Sequence, residues 1–309
     1  RRKGFRTVIP RSAPFVAEKT PDVMAALGDE RISAAFLDAY LACPARFYFF
    51  RILRLEERAA GPERERKQIG LFFHELLADA YRATAGSPVP DGIAETLDRL
   101  FGTRFDRDLA PMLGSAAFLT REIARARLAA FAAAEKGRGG GKWKNGPVAR
   151  VAAVEAGPGS TLRGRMPLGG AERRFVCRLD RVDELDDGSH LLLDYKTSGA
   201  DFTPAVRLGR PADRETMRRT IRSFQLPLYL LAYRHIHPSV RANAATWSLA
   251  DGRMHPFAAD PGAATERLAV CREALDTLVA EIFDKDTPFV SDRSDERRCE
   301  RCPFARFCA

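Results

Sequence analysis

The sequence predicts an α/β fold, a central mixed sheet flanked by helices. Period-two alternation of apolar and polar residues dominates the middle of the chain, from Val148 to Lys196. Segments with helical apolar spacing lie before and after it. The composition, 45% hydrophobic and 29% charged over 309 residues, is that of an ordinary globular chain. It excludes a disordered chain, a collagen and a coiled coil, and allows one large domain or two modest ones.

Residues 1–30 carry Pro10, Pro14 and Pro21 and little periodicity, so they read as an arm or linker. Ser33 is placed to cap a helix with Phe36, Leu37, Tyr40 and Leu41 on one face. Pro44 ends it, with Cys43 at the break. Arg46–Leu55 is aromatic and apolar and reads as a buried helix or turn. Residues 56–69 are charged and expected to be exposed, and Gly70–Arg82 reads as an amphipathic helix containing His74. Residues 92–135 continue as helices, and residues 136–147 form a basic glycine-rich loop. Together 75–146 read as a helical insertion. The strands expected next are Val148–Ala156, Thr161–Leu168, Arg173–Leu185 and His190–Lys196, with a hairpin at Asp186-Asp187-Gly188. A basic loop over 200–222 leads to a helix over Phe224–His235. Strands over Ala244–Leu249 and Arg253–Phe257 and a long helix over Pro261–Phe283 complete the pattern.

Lys plus Arg number 50 and Asp plus Glu 41, a net charge of +9. A basic balance points to a polyanionic partner, nucleic acid before membrane. No apolar run approaches the roughly 18–20 residues of a bilayer span. Arg1–Lys3 lead into no apolar stretch, so no signal peptide is expected, and the chain reads as part of a longer or processed protein. Gly137–Lys142 invites a phosphate-loop reading, but Trp143 stands where Ser or Thr is required and no strand precedes it.

The strongest chemical signal is an apolar strand running into Asp194-Tyr195-Lys196. Alternation puts Asp194 and Lys196 on one face, about 7 Å apart along the strand. A carboxylate that holds a hard divalent cation and an ammonium that orients water suit hydrolysis; the same spacing also fits a strand end meeting water. A second carboxylate is needed, and Asp180 is the candidate. A two-residue turn at Asp187-Gly188 sets Arg181 opposite Asp194. A three-residue loop, Asp186–Gly188 with Gly188 left-handed, sets Asp180 there instead. Shared metal binding requires the second register, which is the one expected.

Of six cysteines, three crowd the end of the chain as Cys299-x2-Cys302-x5-Cys308. Cys43 is available as a fourth ligand. Four thiolates suit a metal such as Zn²⁺, whereas Cys177 and Cys271 read as buried thiols. Arg207, Arg210, Arg214, Arg218, Arg219 and Arg222 follow the Asp194 strand and could neutralise phosphates.

Three segments together, Arg178-Leu179-Asp180-Arg181, Asp194-Tyr195-Lys196-Thr197 and Gln225-x3-Tyr229, resemble the PD-(D/E)xK nuclease superfamily. The likeness is to the RecB-like exonucleases and the AddB-type C-terminal nuclease domain in particular. Cys177 stands where that family commonly has glycine. The resemblance covers most of 31–309 and is weak over 85–146. It implies a restriction-endonuclease-like core with a helical insertion and a C-terminal cysteine clasp. It further implies that His74, Asp180, Asp194 and the Tyr195 carbonyl hold Mg²⁺ or Mn²⁺ and that Lys196 assists the attacking water. Gln225 and Tyr229 would sit beside that lysine, Glu155 would match an additional upstream acid, and Arg178 and Arg181 would contact DNA. Cys43, Cys299, Cys302 and Cys308 would hold a [4Fe–4S] cluster, with Zn²⁺ as the alternative. The implied activity is metal-dependent DNA hydrolysis, an exonuclease joined to a helicase subunit or domain for end processing in recombinational repair, in the bacterial cytoplasm. Alternatives are a CRISPR-associated four-cysteine nuclease and an inactive DNA-binding scaffold.

Overall fold

Local sequence signals set the first elements. The computed structural model describes residues 14–55, 62–138, 147–155, 157, 159–199, 203–204 and 213–308. A short strand, β1 (Val16–Ala17), leads into α1 (Pro21–Asp29), which has Pro21 in its first turn and the Thr20 hydroxyl accepting from Val23 N–H. Val23 and Leu27 are buried in the main core. The expected arm or linker over 1–30 is thus corrected over 14–30, where Pro21 opens a helix; residues 1–13 lie outside the described ones. Ser33 caps α2 (Ala34–Ala42) through Phe36 N–H at 3.2 Å. Phe36, Leu37, Tyr40 and Leu41 are its buried face. Cys43 ends α2 and Pro44 opens α3 (Pro44–Phe47), followed by a π-helical turn over Tyr48–Ile52.

The next helices are α4 (Pro62–Arg82), which starts at Pro62 and not at Gly70, α5 (Ile93–Arg104), α6 (Ala110–Leu113) and α7 (Ala117–Arg138). The strands follow: β2 (Val148–Val154), β3 (Thr161–Leu168), β4 (Ala171–Arg178), β5 (Arg181–Leu185) and β6 (His190–Lys196). The single strand expected over Arg173–Leu185 breaks at Leu179–Asp180. Leu179 N–H bonds the Ser160 carbonyl and Glu155 N–H bonds the Asp180 carbonyl, so the chain leaves its pairing with β3 and joins β2. Then come α8 (Arg214–Thr220), α9 (Gln225–Ile236), β7 (Ala242–Ser248), β8 (Met254–Pro256), α10 (Pro261–Phe283), β9 (Phe289–Val290) and α11 (Glu296–Glu300). Pro227 lies in the first turn of α9, where a missing N–H costs nothing.

A five-stranded mixed sheet has the order β2-β5-β6-β7-β8, with β6 and β7 parallel and the other pairs antiparallel. The parallel pair needs a long crossover, and that crossover carries α8 and α9. β3 and β4 form a separate hairpin, and β1 pairs with β9 near the far end of the chain. The sheet separates two cores. Leu192, Val182 and Ala244 face one with α1, α2, α9 and α10; Leu191, Leu193, Tyr195 and Trp247 face the other with α4, α5 and α7. The helices expected as an insertion over 75–146 therefore form the second layer on the sheet within 75–138. Phe131 of α7 lies 4.4 Å, ring to ring, from Trp247. No helix among the described residues is long and apolar enough to cross a membrane.

Candidate active site

The hairpin between β5 and β6 determines which side chains meet. Gly188 has φ +72°, Gly188 N–H bonds the Leu185 carbonyl and Leu185 N–H bonds the Ser189 carbonyl. This is the three-residue loop. Arg181 faces Leu193 and Val182 faces Leu192, so one further step along the register puts Asp180 opposite Asp194. Alternation then puts both acids on the side of Val182 and Leu192, the side covered by α9.

Asp180 anchors one half of the site. Its Oδ2 accepts from Tyr195 N–H at 2.6 Å, and its Oδ1 lies 3.1 Å from His74 Nδ1 of α4. Glu155, just past β2, brings Oε2 to 3.8 Å from the same nitrogen. The ligand atoms of His74, Glu155 and Asp180 all lie within 4.8 Å of one another. Burial alone would lower the His74 pKa, but Asp180 and Glu155 outweigh it and push it up to about 10.

Asp194 and Lys196 form the other half. Lys196 Nζ lies 2.7 Å from Asp194 Oδ2 and donates to Gln225 Oε1 at 2.7 Å. Gln225 Nε2 donates to Asp194 Oδ1 at 2.5 Å and to the Tyr229 hydroxyl at 3.0 Å. Their i,i+4 spacing on α9 brings Gln225 and Tyr229 together. Burial, then the neighbouring Asp180 charge, push the Asp194 pKa up to about 6. Burial likewise raises the Tyr229 hydroxyl, as do Asp194 and Asp180.

Glu155 Oε2 and Asp194 Oδ2 are buried oxygens that accept no hydrogen bond among the described residues, and Asp194 Oδ2 faces the Lys196 ammonium as an ion pair. Buried carboxylate oxygens left in this state suit a hard divalent cation. The grouping differs from the sequence expectation in one respect. The compact trio is His74, Glu155 and Asp180, whereas Asp194 turns toward Lys196 and Gln225, and Tyr195 contributes its amide to Asp180.

The arginines divide by environment. Arg181, expected to touch DNA, is fully buried and bonds Asp183 Oδ1 at 2.5 Å and Glu135 Oε1 at 2.7 Å, so that assignment is corrected. Its neighbour Asp180 points to the site, and alternation turns Arg181 to the opposite face. Arg178 is exposed at the end of β4. Arg218 holds the Asp292 carboxylate and donates to the Ser294 hydroxyl at 2.9 Å, tying α8 to the C-terminal segment. Arg222 is exposed and donates to the Thr203 carbonyl at 3.3 Å. Arg207 and Arg210 lie outside the described residues, as does the glycine-rich stretch 139–146.

Cys43, Cys299, Cys302 and Cys308 line one cavity of about 730 Å³ together with Phe49, Asp292 and Phe304. Asp292 N–H approaches Cys43 Sγ at 3.4 Å, and Cys299 Sγ donates to the Asp292 carbonyl at 3.6 Å. Burial pushes the Cys308 thiol up to about 11. Cys177 and Cys271 are buried thiols elsewhere in the main core. Asp38 of α2 carried no sequence signal, yet it bonds the residues that open α9.

Two aspartates and a lysine at one strand end, closed by a third acid and a histidine, define a metal-dependent nuclease. The chain belongs to the PD-(D/E)XK nuclease superfamily, whose family model matches residues 31–309. No curated protein matches. Among solved structures, a candidate exonuclease from Eubacterium rectale is similar at 14% identity and a TM-score of 0.42, over 91% of this chain and 90% of that one. SSO0001 is similar at 13% identity and a TM-score of 0.26, over 77% of this chain and 96% of that one.

Proposed function

We propose that this chain is a Mg²⁺- or Mn²⁺-dependent DNA exonuclease domain that processes DNA ends in recombinational repair, joined to a helicase in the manner of RecB-like and AddB-type nucleases. The observation that carries the reading is the convergence of Asp180, Glu155 and His74 beside Asp194 and Lys196. His74, Glu155 and Asp180 would hold the cation, with Asp194 Oδ2 and the Tyr195 carbonyl completing its surroundings. Bound there, a divalent cation would polarise the scissile phosphate and make its water more acidic. Lys196 directs its ammonium at the attacking water or a phosphate oxygen. Gln225 holds Lys196 and Asp194 in one geometry, and Tyr229 holds Gln225. Arg178 and Arg222, with Arg207 and Arg210, supply phosphate contacts.

The test is Mn²⁺-dependent degradation of linear DNA. Lys196→Ala and Asp194→Asn should each lose at least about 100-fold in kcat while keeping the wild-type melting profile. Wild-type protein that binds DNA and degrades none would make the chain a binding scaffold instead.

The four cysteines are proposed to hold a [4Fe–4S] cluster that fastens Cys43 to the end of the chain. A zinc site draws its sulfurs to about 3.8 Å of one another, from Zn–S bonds of about 2.3 Å in a tetrahedron. The cavity lined by the four cysteines is wide enough for a cluster. Anaerobically prepared protein should show the visible absorption of an iron–sulfur chromophore and lose it in Cys43→Ser; a colourless protein containing zinc would reject the cluster.

A further inference from the structure

An acid that no motif marks stands behind the amide that joins the two halves of the site. Asp38 lies on α2, and its Oδ2 accepts from the Ser223 hydroxyl at 2.6 Å while its Oδ1 accepts from Phe224 N–H at 2.8 Å. Ser223 Oγ in turn accepts from Gln225 N–H at 3.1 Å. Helix α9 has no cap from its own first residue: Phe224 occupies that position and offers no side-chain acceptor. Asp38 supplies from another helix the negative charge and acceptor atoms that a helix N-terminus requires. The connection from α8 is also constrained, because Arg222 takes φ +64°, a conformation that persists in a non-glycine residue only when its surroundings hold it. Burial raises the Asp38 pKa, while the bonds from Ser223 and Phe224 and the nearby Lys196 charge act to lower it.

We propose that Asp38 is a positioning residue for the nuclease reaction: through Ser223 and Phe224 it fixes the first turn of α9, and with it the Gln225 side chain that ties Lys196 to Asp194. The proposal rests on the nuclease reading of that site. A cap serving stability alone would change the melting temperature and leave the chemistry of the folded protein intact. A positioning residue acts on kcat, and acts through Gln225.

The experiment uses the full chain with Mn²⁺ and linear DNA, and compares Asp38→Ala, Asp38→Asn, Ser223→Ala, Gln225→Ala and the Asp38→Ala/Gln225→Ala pair. Asp38→Ala should lower kcat by about 10- to 100-fold with KM nearly unchanged. Asp38→Asn, which keeps an acceptor for Phe224 N–H, should recover most of that loss. In the Gln225→Ala background, Asp38→Ala should cost less than about twofold more, the non-additivity of residues acting in series. Equal losses in both backgrounds, or folded Asp38→Ala with wild-type kcat, overturn the proposal. Should Asp38→Ala fail to fold, Ser223→Ala breaks the same link more gently and must itself lower kcat. The side-chain amide resonance of Gln225 gives a readout without activity. It should move toward a free amide in Asp38→Ala and stay in place in Asp38→Asn; an unmoved resonance in Asp38→Ala refutes the link. A wild-type chain that degrades no DNA sinks the nuclease reading, and this resonance still decides whether Asp38 governs Gln225.

Discussion

His74 controls the proton balance of the acidic site. Its burial works against a charge, but the Asp180 and Glu155 carboxylates beside it and the Asp194 charge prevail and raise its pKa from 6.5 to about 10. A group with a folded pKa above its unfolded value adds stability that is complete below the unfolded value and is lost as pH rises through the folded one. In the metal-free protein the imidazolium therefore stabilises the acid cluster in full below pH 6.5, and this contribution fades toward pH 10. A cation needs the neutral ring, so its binding must expel that proton. Mn²⁺ titrations near neutral pH, run calorimetrically in buffers of different ionisation enthalpy, should show release of about one proton, and apparent affinity should rise with pH. Asp194, raised to about 6, adds to the weakening at acid pH. His74→Ala should bind more weakly and release no proton. Heats independent of buffer in the wild type would remove His74 from the ligand set.

At the scale of elements, two hairpins show what the sequence reveals and what it hides. Asp186-Asp187-Gly188 is a local signal, and it fixed the register that sets Asp180 across from Asp194. The β3–β4 turn rests on a tertiary contact. Gly169 has φ +59°, its N–H bonds Asp276 Oδ1 at 2.9 Å, and an added Cβ would stand 2.7 Å from Ala280 N of α10. Gly169→Ala meets backbone and an unfavourable dihedral together, and should cost about 2–4 kcal/mol in urea unfolding. Gly188→Ala, with open space around it, should cost only about 1 kcal/mol. The same division explains the site. Asp194, Lys196, Gln225 and Tyr229 sit at short spacings that betray their geometry, and the start of α10 was legible because Pro261 opens it. The break between β4 and β5 depends on Ser160 and Glu155, and Asp38 meets Phe224 across 186 positions, so neither leaves a local trace. Arg181 misled by chemistry alone; its phase relative to Asp180 already directed it away from the site.

Across the whole molecule, the sheet is a shared wall between two cores, and the wall behind Asp180 is held by charge. Arg181 bonds Asp183 and Glu135, Arg138 lies 2.7 Å from Asp183 Oδ2, and the Arg181 guanidinium stacks 4.2 Å from the Tyr81 ring centre. The side chains of Arg181, Glu135 and Asp183 are 0% exposed, so no water screens them. Two cations and two anions balance, and they join α7 to β5 at the residue preceding Val182 and following Asp180. Removing Glu135 alone leaves a desolvated guanidinium in excess, which should cost about 3–5 kcal/mol of stability. Replacing Glu135 and Arg181 together with leucine and methionine leaves the Arg138–Asp183 pair intact and removes the imbalance, so it should restore most of that loss. Urea unfolding of Glu135→Ala, the double variant and the wild type makes the comparison. A double variant no more stable than Glu135→Ala would show that the layers depend on these particular bonds and not on charge balance. Activity supplies the second axis: if the network only joins the layers, the double variant regains kcat with stability, because Asp180 keeps its own anchor on the Tyr195 amide.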